Sequence, residues 1–200
     1  MEFADVVRSR TMTRSFSNRP VEQSLLDQLV DLASRAPSAG KSQGFNLVVF
    51  DGKHTTAFWD VALPVEKRAS FAWPHLLDAP IIALVCADPR AYLERYSESD
   101  KLHTGLGSSI EAWPAPYWTI DAAFATMLVI GAAHDVGLGS LFFALSNGER
   151  ELREQCAIPD AVEILGVLAL GWPRDGEPRK GRSASRPRRP SSSILRFRSW

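Results

Sequence analysis

The residues most able to do chemistry in this chain are cations and small residues. Arg10 and Arg14 bracket Thr11, Met12 and Thr13, and the β-branched threonines alternate with larger groups. An extended segment sets Arg10, Met12 and Arg14 on one side, with Phe16 as an apolar anchor at its end. Two guanidinium groups sharing a side need an anion or water. A second stretch runs from Arg35 to Phe45. Pro37 ends a helix there, and Ser38, Ala39 and Gly40 are small enough for backbone N–H groups to touch a flat ligand. Lys41, Ser42 and Gln43 add polar groups, although the same composition also suits an ordinary helix-to-strand loop. A third stretch, Trp113-Pro114-Ala115-Pro116-Tyr117-Trp118, holds aromatic rings between stiff prolines. It suits a wall for a planar ligand, a subunit contact or core filling.

Other chemistries lack their signatures. No glycine motif of the dinucleotide or phosphate-loop type follows a strand, and Gly137-Leu138-Gly139 stands after a helix instead. His54, His75, His103 and His134 have no metal-ligand spacing, so no catalytic metal is expected. No GxSxG elbow supports acyl transfer. Cys86 and Cys156 lie far apart, which reads as reduced thiols in a cytoplasmic protein.

These residues must be held by a framework. Two hundred residues, 45% hydrophobic and 23% charged, favour one domain with a real core. A net charge of zero gives the whole molecule no general attraction to nucleic acid or membrane. The start of the chain is acidic and has no apolar signal core, and the longest apolar run, Ala122 to Ala133, is too short to span a bilayer. From Arg179 to Trp200, eight Lys or Arg residues occur without an Asp or Glu. Ile194, Leu195, Phe197 and Trp200 make that tail too apolar to be purely solvated, so it is expected to dock, on this chain or on a second subunit.

Periodicity supplies the elements. Helices are expected over 2–10, from Pro20 to Ala36, over 54–63, after Asp88-Pro89 and over Glu149 to Cys156. Strands are expected at Asn46–Phe50, Pro80–Cys86, Ser140–Leu145 and Glu163–Leu170, the second and fourth buried on both faces. Ser97 to Ser109 reads as a mobile excursion. Asp121 to Val136 is apolar in nearly every direction, so it must be either a central helix or part of an oligomer interface.

Four features in one order, Arg10-x-x-x-Arg14-x-Phe16, Ala36-Pro37-Ser38-Ala39-Gly40-Lys41-Ser42-Gln43, a buried helix running into Gly137-Leu138-Gly139-Ser140, and Arg186-x-Arg188-Arg189-Pro190, resemble the nitroreductase family of FMN-dependent oxidoreductases. The resemblance implies an α+β fold with a central mixed sheet wrapped by helices, in an intertwined homodimer. It divides the chain into an FMN-binding domain, 1–178, and a basic extension, 179–200, that completes the cofactor site on the partner. It implies that Arg10, Arg186 and Arg188 hold the FMN phosphate, with Thr11 and Met12 beside it, and that Arg14 approaches the N1 and O2 edge of the flavin. Pro37, Ser38, Ala39 and Lys41 would meet the isoalloxazine from the partner subunit. Phe142, Phe143, Ala144 and Leu145 would line the other face. Members of the family often carry Ser at Met12, Asn at Lys41 and Pro-Trp at Gly44-Phe45. The implied reaction takes electrons from NADH or NADPH to a planar acceptor, a nitroaromatic or quinone, in ping-pong order. No catalytic side chain is implied, and Phe71, Trp73, Trp113, Tyr117 and Trp118 are candidates for the substrate wall. Within the family, a dehalogenase or flavin-degrading enzyme is the alternative; outside it, a flavin or deazaflavin carrier, or a tail that binds nucleic acid.

Overall fold

The computed structural model describes residues 1–176 and 185–200. Its centre is a four-stranded sheet in the order β1-β2-β4-β3, formed by β1 (Phe45–Asp51), β2 (Ile81–Ala87), β3 (Gly139–Phe143) and β4 (Glu163–Gly171). All three pairings are antiparallel. Where a mixed sheet was expected, parallel pairing among the described residues is limited to the isolated bridge between Met12 and Ser140, because the arginine-bearing segment adds only one rung to β3.

The continuous apolar runs of β2 and β4 are explained by burial on both faces. Every residue of β2 is buried, and alternation sends Ile82, Leu84 and Cys86 into one core and Ile81 and Val85 into the other. The first core lies under α3 (Thr55–Ala62) and α7 (Glu149–Gln155) and includes Phe16, Phe58, Trp59 and Leu152. The second lies under α2 (Gln23–Ala33) and α6 (Tyr117–Asp135), with Leu26, Leu29, Val129 and Ile130. The remaining helices are α1 (Phe3–Ser9), α4 (Val65–Arg68) and α5 (Arg90–Tyr96), of which α1 packs on α6.

Within the single chain, helix α6 is buried on one side only. Ala122, Ala125, Val129 and Ala133 are buried, but Phe124, Met127 and Leu128 are 47%, 44% and 38% exposed. Phe3 and Val7 of α1 are exposed as well. A contiguous apolar surface of this kind marks an interaction face. Burial thus comes from the fold on one side of α6 only. Among the described residues no helix is long and apolar enough to cross a membrane.

The excursion after α5 carries tethers at both ends. Arg95 holds Asp100 through two nitrogens at 2.8 Å, and Trp113 Nε1 donates to the Leu106 carbonyl at 2.9 Å. The Arg95 guanidinium holds the Asp100 carboxyl at a pKa of about 2. The terminal segment is the opposite case. Ile194, Leu195, Phe197 and Trp200 stay exposed, and the hydrogen bonds described for Ser193, Ile194 and Leu195 all fall within the segment.

Candidate functional site

The arginine-bearing segment leaves α1 at Arg10 and runs beside β3. Thr13 N–H donates to the Ser140 carbonyl at 2.8 Å, Phe16 N–H to the His75 carbonyl and Ser17 N–H to the Trp172 carbonyl, both at 2.9 Å. Thr13 is buried against Gly139, where a Cβ would fall 2.5 Å from its hydroxyl, so the segment seats only because residue 139 is glycine. Phe16, fully buried, anchors the end, as its position after the arginines implied. Met12 packs against both cores, an apolar role that suits methionine.

Arg10 and Arg14 have no carboxylate within ion-pair distance among the described residues. Their nearest neighbours in sequence, Arg8 and Arg19, likewise make no such pair, whereas Arg68, Arg90, Arg95 and Arg153 do. Arg14 instead sits with its guanidinium carbon 5.3 Å from the centre of the Trp73 ring. Trp73 forms an edge contact with Phe71 at 5.9 Å. Both rings line a cavity of about 350 Å³ together with Trp59, Leu63, Phe143, Ala144 and Leu145. Phe143 lies parallel to Trp59, with centroids 6.1 Å apart and 2° between planes. This volume falls within the range of small-molecule sites, and its lining of rings suits a flat guest.

Among the described residues, Trp59 Nε1, on a ring that lines the cavity, and Ser15 Oγ, in the arginine segment, are buried without a hydrogen bond. Orphaned buried donors are rare in folded proteins and mark places where a further group belongs. Next to the segment, His75 Nδ1 lies 2.8 Å from Asp78 Oδ2 and 3.0 Å from Arg174 Nη1, a cluster that fixes the chain behind Trp73.

The remaining sites divide differently from the sequence reading. Phe142 is absent from the cavity lining; its ring lies over Gly166, where a Cβ would be 2.6 Å from Cζ, so alternation along β3 turns it to the other face. Trp113 and Trp118 also lie elsewhere, in a buried cluster of edge-on rings with Tyr92 and Tyr96. Trp118 Nε1 and the Thr119 hydroxyl donate to the two oxygens of Glu163 at 2.8 and 2.7 Å. Thus of the aromatic candidates only Phe71 and Trp73 reach the cavity beside Arg14. Arg186 and Arg188 are described and exposed, but part of the connection to them, 177–184, lies outside the described residues, as does the expected boundary at 178/179.

The turn from Pro37 to Gln43 stands at the far end of the sheet. It enters β1 at Phe45, which pairs with Ala87, whereas the arginine segment bridges Ser140, which pairs with Leu170 opposite Ile81. A seven-residue strand at about 3.3 Å per residue separates the two by roughly 20 Å. One chain therefore does not bring Arg14 and Pro37, Ser38, Ala39 and Lys41 together.

Within the turn Gly40, Lys41 and Gln43 have φ of 62°, 61° and 56°. Such angles are free for glycine but strained for lysine and glutamine, a pattern that clusters at functional positions. The tethers come from α5 and α6. Ala39 N–H and the Tyr92 hydroxyl both donate to Asp121 Oδ2 at 2.8 Å, and Arg95 Nε donates to the Gly40 carbonyl at 2.8 Å. Burial, reinforced by the Asp121 carboxylate, pushes the Tyr92 hydroxyl pKa up, so it stays a donor. Sequence reading passed over Asp121, although an aspartate inside the most apolar helix is a signal: a buried carboxylate must find donors.

A model of the family described as "Nitroreductase family" matches residues 7–172. The chain is similar to the FMN reductase (NAD(P)H) of Bacillus subtilis strain 168, 28% identical over 200 residues, covering 95% of this chain and 72% of that one. It is also similar to an NADPH-dependent oxidoreductase of Staphylococcus aureus strain RF122, at 22% over 194 residues, covering 96% and 71%. A solved nitroreductase family protein from Streptococcus pneumoniae TIGR4 shares the fold with a TM-score of 0.74 at 18% identity, covering 98% of this chain and 100% of the other.

Proposed function

The chain belongs to the nitroreductase family, matched over residues 7–172, and from that premise we propose that it is an FMN-dependent oxidoreductase. It takes electrons from NADH or NADPH and delivers them to a planar acceptor, a nitroaromatic or quinone, in ping-pong order. The observation that carries this reading is the meeting of a guanidinium, without a carboxylate partner among the described residues, with an aromatic cavity: Arg14 lies over Trp73, whose ring lines the space together with Phe143, Ala144 and Leu145.

The residues fit the cofactor. Bound FMN would supply the redox chemistry, accepting two electrons from the nicotinamide and passing them on. Arg10, with Arg186 and Arg188 brought by the C-terminal extension, holds the phosphate by charge-assisted hydrogen bonds, and Thr11 and Met12 stand beside it. Arg14 would place fixed positive charge beside the N1 and O2 edge of the bound ring. Phe143 and its stacked partner Trp59 provide a flat apolar wall that keeps water away.

The site is completed by a second copy of the chain. Two observations support this: the exposed apolar face of α6 and α1, and the distance between the arginine segment and the Pro37–Gln43 turn within one chain. A homodimer buries the first and lets one copy's turn reach the other's arginines. Free Cys86 and Cys156 suit the cytoplasm, where reduced nicotinamides are available.

Purified protein should be yellow and dimeric, bleach anaerobically with NADH or NADPH, and regain colour on adding a nitroaromatic or quinone. Colourless monomeric protein that does not respond to FMN in a titration would sink the reading.

A further inference from the structure

We propose that Asp121 is a positioning residue for the flavin, acting at a distance by fixing the Ser38–Gln43 turn; this rests on the reading that the turn meets FMN bound to a neighbouring copy. Asp121 is 7% exposed, and among the described residues it forms no ion pair with a lysine or arginine. A buried carboxylate without a cation is costly unless donors satisfy it. The donors found are the Ala39 N–H and the Tyr92 hydroxyl, and both meet the same oxygen, Oδ2. The carboxylate thereby joins three elements, α6, α5 and the turn.

The turn depends on such tethers. Lys41 and Gln43 hold left-handed backbone, which is strained for side chains with a Cβ. Their side chains are exposed, so packing does little to hold them. Inside the turn, Lys41 N–H donates to the Ser38 carbonyl, Ser42 N–H to the Ala39 carbonyl and Gln43 N–H to Ser38 Oγ; its hydrogen bonds to the helices are Ala39 N–H to Asp121 and the Gly40 carbonyl to Arg95. The contact with Asp121 ties the turn to α6, whose other side carries the exposed apolar face. Asp121 thus sets the height of Ala39 and Gly40 above the same helix that the second copy is proposed to grip. The turn and Asp121 also border a cleft of about 290 Å³ with Ala33, Phe45 and Ala125, so the backbone has room to relax if the tether is cut.

The test uses the full chain with Asp121→Asn, which keeps the shape and removes the charge, and Tyr92→Phe, which removes one donor. Hydrogen exchange by mass spectrometry on the FMN-free protein should show residues 37–43 exchanging about tenfold faster in Asp121→Asn, with β2 and β4 unchanged, since losing a charged hydrogen bond has this size. Flavin fluorescence should show FMN bound about tenfold more weakly by the same variant, with Tyr92→Phe shifted less in the same direction. Unchanged exchange over 37–43, acceleration spread evenly through β2 and β4, or wild-type FMN affinity in Asp121→Asn would each overturn the proposal. Wild-type protein that binds no FMN would instead remove the functional reading, and the exchange result would still decide whether Asp121 holds the turn.

Discussion

The guanidinium of Arg14 rests on the face of Trp73, 5.3 Å from the ring centre, with no carboxylate paired to it among the described residues. A cation parked on an aromatic ring keeps its hydrogen-bond donors available for an anion, which a carboxylate partner would consume. Replacing Trp73 by Leu should weaken FMN binding about two- to fivefold, the size of an exposed cation–π contact of ~0.5–1 kcal/mol. Trp73→Phe should keep most of the affinity, and Arg14→Ala should lose far more. Flavin fluorescence titrations measure all three.

A phosphate held by unpaired arginines must dominate cofactor affinity. Riboflavin, which lacks the phosphate, should bind at least about 100-fold more weakly than FMN, because each charge-assisted hydrogen bond is worth ~1.5–3 kcal/mol. The gap should narrow as salt is raised and in Arg10→Ala. Equal affinities for the two flavins would remove Arg10, Arg186 and Arg188 from the site.

Damage at opposite ends of the sheet should complement. Gly40→Val adds a side chain at φ 62°, its Cβ 2.7 Å from Tyr96 Cε2, and so deforms the turn without touching the arginines. Co-expressed with Arg14→Ala, it should give mixed dimers that keep one intact site of two, and about half of the wild-type FMN. Each homodimer alone should bind little. Mixed dimers as empty as the homodimers would show that one chain supplies both parts.

Burial raises the Cys86 thiol to a pKa of about 11 and the half-buried Cys156 thiol less far. The folded state thus holds the Cys86 proton where the unfolded chain, near 9.0, has already released it. Stability contributed by the buried thiol is complete below about pH 9 and declines as pH rises toward 11. Denaturant melts across that window should flatten in Cys86→Ala. At pH 7 a maleimide should label Cys156 in native protein and Cys86 only after unfolding.

The sheet was legible in the sequence because its strands are short apolar runs bounded by turn residues. Β2 and β4 differ from the expected ranges by a residue or so at each end. Helix α6 begins at Tyr117, four residues before the apolar run at Asp121 suggested, because Pro116 sits in the cap and the aromatic stretch forms the first turn. The pattern of arginines was also visible. What could not be read was where distant pieces meet. Nothing local in Ser97–Ser109 announces Arg95 or Trp113 as its anchors, and nothing in Trp113 and Trp118 separates them from Trp73, although the fold places them in a different cluster. Asp121 was overlooked because apolar neighbours masked a single carboxylate whose partners lie 29 and 82 positions away.

The separation of the turn from the arginines along β1 has a genetic corollary. If two copies share two sites as proposed, a faulty turn would spoil its neighbour's cofactor and leave its own chain's phosphate grip intact. A cell making equal amounts of sound and turn-defective protein would then see the lesion act on the sound chains too, as partial dominance. Two different defective alleles could meanwhile rescue each other.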